Sequence, residues 1–205
     1  MAHGAWGQEL DRGTFTLTKG GVVIGHEAFV LKQGSTVTGG PGFSLSTTAT
    51  YPTDRATITL TAQIDYGPDS LAQQLQADQT GATPRRLVVR FTPRRITVRT
   101  LSAAAETARE YPGAPNLLAV HDSLFALYLI LPATTSLTLF SPTDGHRASV
   151  RGTPASPDSA TVGGVRRILT HVILGQGDEI RHLWYDESGK LFAIDVPKLG
   201  VRAQR

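Results

Sequence analysis

The chain has 205 residues, 40% of them hydrophobic, a net charge of only +3 and no cysteine. That length fits a single domain, 1–205, able to bury most of its apolar surface without staples, and the composition excludes a disordered chain. The absence of cysteine excludes disulfides and thiolate metal sites, and no apolar run reaches the roughly 20 residues that a helix needs to span a bilayer.

Residues 1–12 are expected to form a loose leading segment, and strands begin after it. Thr14–Thr18 alternates apolar and polar residues, which puts Phe15 and Leu17 on one face. Lys19-Gly20-Gly21 signals a tight turn into a return strand, in which Gly25 marks a bulge or a close backbone approach. Further strands are predicted at 44–51 and 56–66, where Ile58, Leu60, Ala62 and Ile64 alternate with threonines and Gln63. Gly39-Gly40-Pro41-Gly42 reads as a turn cluster with no strand-to-helix context for a phosphate. Residues 70–78 fit either a helix or a strand, and their strand neighbours favour the strand. Leu87–Thr92 and Arg95–Thr100 form a hairpin, followed by a loop or short strand over 101–116. Asn116 then caps an expected helix from Leu117 to Leu131, which Pro132 ends. Its apolar residues cover so wide an arc that it must be buried. Strands return at 136–140, 147–151, 164–174, 179–185 and 190–196. The fold class predicted is therefore mainly β (α+β): a curved antiparallel sheet or half-open barrel wrapping one apolar helix, about 117–131.

The sharpest local inference concerns the last large hairpin. A turn at Gly175-Gln176-Gly177-Asp178 places His171 opposite His182, Ile173 opposite Ile180 and Leu169 opposite Trp184. It also sets Arg167 against Asp186 and Arg166 against Glu187, two favourable charge pairs. Opposed histidines bring their Cβ atoms about 5 Å apart, close enough to share a metal or a proton. The plainer alternative is a half-buried pair bonded to backbone or water. No third ligand is placed by the sequence, so no metal and no cofactor is assigned. His121-Asp122-Ser123 resembles a hydrolase triad only in composition, because consecutive helical side chains diverge by about 100°.

Between Gln79 and Ala105 the chain carries six arginines and no acid. Arg86, Arg90, Arg95 and Arg99 are candidates for a surface that meets an anionic partner, such as lipid headgroups or a protein. Strand alternation also allows them to be an ordinary solvated face. Nucleic acid is disfavoured, since only Phe91 is available to stack.

Leu183-Trp184-Tyr185-Asp186-Glu187-Ser188-Gly189-Lys190-Leu191, with Ile194, Pro197 and Gly200, resembles a recurrent ending of exported bacterial β-proteins. The opening hairpin, Gly13–Leu31, is similar to how such domains begin. Together these segments, about a quarter of the chain, resemble the periplasmic lipoprotein carriers of the LolA/LolB kind. The resemblance implies a curved sheet around helix, a periplasmic or extracellular location, and lipid cargo. Those carriers have several lid helices where this chain offers one, and no functional residues carry over. No intact signal peptide opens the chain, so a mature form is the expectation that fits export.

Three functions are open at this point. The leading one is a carrier-type module for a lipid or other apolar small molecule, lined by Phe125, Tyr128, Leu169, His171, Ile173, His182 and Trp184. The second is a small-barrel isomerase, cyclase or hydrolase using His171 and His182 as acid and base. The third is an accessory subunit that docks a protein partner through a β edge or the arginine face.

Overall fold

The computed structural model describes residues 7–35, 40–54, 56–131, 136–162 and 165–205. Met1–Trp6, Gly39 of the turn cluster, Pro132 and Gly164 lie outside the described residues. The described chain is nearly all strand: β1 (Gln8–Lys19), β2 (Val22–Ser35), β3 (Pro41–Tyr51), β4 (Ile58–Tyr66), β5 (Ala72–Thr80), β6 (Arg85–Phe91), β7 (Arg95–Ser102) and β8 (Glu106–Pro112). It continues with β9 (Leu117–Ala119), β10 (Ser136–Phe140), β11 (Arg147–Pro154), β12 (Asp158–Val162), β13 (Val165–Leu174), β14 (Arg181–Tyr185), β15 (Leu191–Val196) and β16 (Val201–Gln204). Residues 8–12, expected to be loose, are the first part of β1.

One open sheet holds them all. Its path runs β8-β7-β6-β5-β4-β3-β2-β1-β16-β15-β14-β13-β11-β10-β9, with β12 paired to β13 alone. The first eight strands form a simple meander, because each is joined to the next by a short turn. Alternation then sets the two faces. Phe15, Leu17, Leu45, Ile64, Leu75, Val89 and Ile96 are fully buried on the inner one. Their neighbours Thr14, Thr48, Thr61 and Gln63 are exposed on the outer one.

The sheet coils so that its β8 edge meets the β10–β11 hairpin near the other end. The Tyr111 ring of β8 lies 5.3 Å from that of Phe140 in β10, and Arg147 Nη1 donates to the Pro112 carbonyl at 3.0 Å. Gly145 is required at this contact, since a Cβ there would strike the Tyr111 ring. Gly25 makes the close approach expected of it. A Cβ would collide with the Thr50 carbonyl, and the ladder to β1 is irregular just there.

The predicted helix over 117–131 does not exist, and with it the α+β assignment falls. No α-helix occurs among the described residues, and none is long and apolar enough to cross a membrane. The segment instead runs through the inside of the sheet as an irregular chain. Leu117–Ala119 pairs in parallel with β10, and Val120 N–H donates to the Phe140 carbonyl. At His121 the ring Nδ1 accepts the Ser123 N–H at 3.1 Å, a local bond that competes with helix. Helical geometry is confined to Ala126–Leu129, one turn of 3-10 helix. An apolar run flanked by sheet on every side satisfies a buried strand as well as a buried helix, so periodicity alone misreads it.

Candidate functional site

The hairpin β13–β14 forms, but two residues out of the expected register. The ladder pairs His171 with Trp184, Ile173 with His182 and Leu174 with Arg181. The cause is the loop, where Gly177–Glu179 makes a turn of 3-10 helix and removes Glu179 and Ile180 from the strand. Glu179 is held away by Arg181 Nη1 at 3.1 Å, His146 Nε2 at 2.9 Å and Lys198 Nζ at 3.4 Å. The expected pairs Arg167–Asp186 and Arg166–Glu187 are absent for the same reason. Arg167 and Arg166 stand across from Ala160 and Thr161 of β12, and Asp186 Oδ1 closes its own turn by accepting from Ser188 and Lys190.

A shift of two preserves the face, so the histidines still meet, diagonally. His171 Nε2 lies 3.0 Å from His182 Nδ1, and the His171 ring stacks on Trp184 at 4.7 Å between centroids. Arg202 covers the same indole at 4.8 Å. Burial, and then the neighbouring His182, lower the His171 pKa. Leu169, Trp184, Phe192 and Ala193 form a small cluster here, with Ala160 of β12 packed against it. The Trp184 Nε1 is buried with no hydrogen-bond partner among the described residues. This is a compact outer-face patch, and among the described residues no group of three metal-ligating side chains occurs.

Phe125 and Tyr128 lie on the opposite side of the sheet, so the seven residues expected to line one cavity belong to two separate surfaces. Both are fully buried in the main core. Their segment is fixed by an interior carboxylate: Glu27 of β2 accepts from Phe125 N–H at 2.7 Å, Ala126 N–H at 3.1 Å and Thr47 Oγ1 at 2.7 Å. Burial pushes its pKa up to about 7 against the pull of those three donors. Tyr51 Oη donates to the Ser123 carbonyl at 2.8 Å, and Arg181 Nε donates to Tyr128 Oη at 2.8 Å. Nearby, His121 is buried, which lowers its pKa to about 4, with Arg85 adding to the effect. Phe125, Tyr128 and their neighbours are packed together in the main core at this level.

Open space occurs at one end of the coil. A cavity of about 610 Å³ is walled by Leu71, Phe91, Pro93, Ile96, Pro115 and Leu117, with Asp69, Gln73, Arg90 and Thr92 around it. Three separated stretches build it: the β4–β5 loop, the β6–β7 turn and the β8–β9 loop. Among the described residues two non-glycines have positive φ, Ser70 at 63° and Asn116 at 51°, and each immediately precedes a wall leucine. Left-handed backbone costs such residues about 1–2 kcal/mol, a strain that concentrates at ligand-holding sites. Of the residues lining this cavity only Arg90 was a candidate site residue from the sequence, and as surface. The legible signal was the pair of proline-bearing connections, Thr92-Pro93 and Pro112–Pro115, both bound to lie at a sheet end.

The arginine face is neutralised by its neighbours. Arg86 bonds Asp78 of β5 at 2.5 Å, Arg95 bonds Glu110 of β8 at 3.2 Å, and Arg99 pairs with Glu106. Arg90 has no ion pair among the described residues. Compared with protein-family models, with curated proteins and with solved structures, this chain matches nothing.

Proposed function

We propose that this domain is a binding module for an apolar ligand, held in the end cavity beside Leu117. The observation that carries the reading is the coincidence of an apolar cavity of about 610 Å³ with the two left-handed residues that set Leu71 and Leu117 into its wall. Small-molecule sites occupy about 300–1,000 Å³ with mostly apolar walls and few polar groups, and this one fits both criteria. A carrier role, as the resemblance to lipoprotein carriers implies, would use this space rather than the filled interior around Phe125.

The test is a titration of the purified protein with Nile red, an uncharged dye that brightens in apolar surroundings, beside native mass spectrometry for co-purified cargo. One dye per chain is expected to bind, and Ala114→Trp, which puts an indole into the cavity, is expected to weaken binding about 10-fold or more while the melting temperature holds. Absence of cargo together with equal dye binding by both proteins sinks the reading.

A further inference from the structure

We propose that the ligand is a single-chain anionic amphiphile whose acid head group pairs with Arg90, an assignment that rests on the cavity being a ligand site. Among the polar groups around the space, one alone has donors free for an acid. Asp69 accepts the Leu71 N–H at 3.1 Å and, as a carboxylate, has no donor to offer an acid head group. Thr92 Oγ1 donates to the Arg95 carbonyl at 2.7 Å and accepts the Arg95 N–H at 3.0 Å. Gln73 is engaged within the protein as well. Arg90 is left, with five N–H donors in a planar fork that suits carboxylate or phosphate oxygens.

Its isolation is a property of position. The other three arginines of this face meet an acid on β5 or β8, whereas the cross-strand partners of Arg90 are Gln74 and Thr97, which carry no charge. Arg90 is exposed, one residue before the wall residue Phe91. Alternation turns Arg90 to the outer face and Phe91 inward, so a charge borders the space on one side and apolar surface on the other. That polarity matches a molecule with an acid at one end and a hydrocarbon chain at the other. The volume favours one chain over the bulk of a two-chain lipid.

Calorimetric titrations with dodecanoic acid, dodecyl phosphate, dodecanol and inorganic phosphate, against the wild type and Arg90→Gln, test the assignment. The two acids are expected to bind wild type about 10-fold or more tighter than the alcohol, as charge-assisted pairing provides. Arg90→Gln closes that gap and leaves the alcohol unchanged, while phosphate alone gives no heat. Equal binding of acid and alcohol by wild type overturns the head-group assignment and leaves the cavity reading intact. Arg90-dependent binding of free phosphate as tight as that of the amphiphiles makes this an anion site and overturns the amphiphile. No binding by any of the four overturns both.

Discussion

Two stretches of the same inner segment meet opposite surroundings. Around Phe125 the backbone N–H groups are claimed by Glu27 and every side chain from Leu124 to Tyr128 is buried, so the segment is sealed from solvent. At Leu117, equally apolar, the sheet has ended and the wall stands open to a cavity. Apolar character alone therefore says nothing about binding. What separates the two is whether strands continue on all sides, a property of the sheet and not of the segment.

The contrast can be broken by substitution. Phe125→Ala is expected to cost about 3–5 kcal/mol in denaturant unfolding, because the void cannot collapse among strands. Leu117→Ala, bordering space already open, is expected to cost about 2 kcal/mol, the low end for such a truncation. Equal losses would mean that the end of the coil is packed as tightly as its middle.

The interior anchor adds a pH signature that the open end lacks. Glu27 has a folded pKa near 7, above its ordinary value of 4.5, so the folded state holds the proton more tightly than the unfolded one. Its contribution is complete below about pH 4.5, is lost as pH rises toward 7, and stays lost above that. The shift is worth on the order of 3 kcal/mol. The measurement is the stability of wild type minus that of Glu27→Gln across this range, a difference that cancels the other titrating groups. A flat difference would show that the three donors to the carboxylate outweigh its burial.

Smaller effects sharpen the comparison. Tyr128→Phe removes the acceptor of Arg181 Nε and should cost about 1–3 kcal/mol, read from the shift in urea midpoint. Asn116→Gly relieves the left-handed backbone beside the cavity and should raise stability by about 0.5–1 kcal/mol in the same assay. A loss there would mean that the Asn116 side chain holds the loop in a way its backbone angle does not reveal.

How far the sequence could be read depended on the reach of each interaction. Strands with period-two alternation, such as Ile58–Ile64, were plain, and 70–78 followed its neighbours into β5. The histidine contact survived an error of two in register because two steps return a strand to the same face. The helix over 117–131 failed because Glu27, 98 positions before Phe125, and the parallel pairing with β10 decide that segment, and neither shows in its own pattern. The arginine stretch looked unpaired because the window stopped at Gln79 and Ala105, one residue short of Asp78 and of Glu106 on either side. The cavity was hidden, being shared among three connections that no local pattern links.

The pairing of β1 with β16 bears on the order in which the molecule assembles. Thr18 Oγ1 donates to the carbonyl of Arg202, a bond across 184 positions, while β1 and β2 meet through a turn of two residues. Strands β1–β8 close as successive neighbouring hairpins, each a local event. The other edge of β1 stays bare until β16 is made. Until then a growing chain displays an unprotected ladder of N–H and C=O groups, a template for self-association, and β16 ends that exposure.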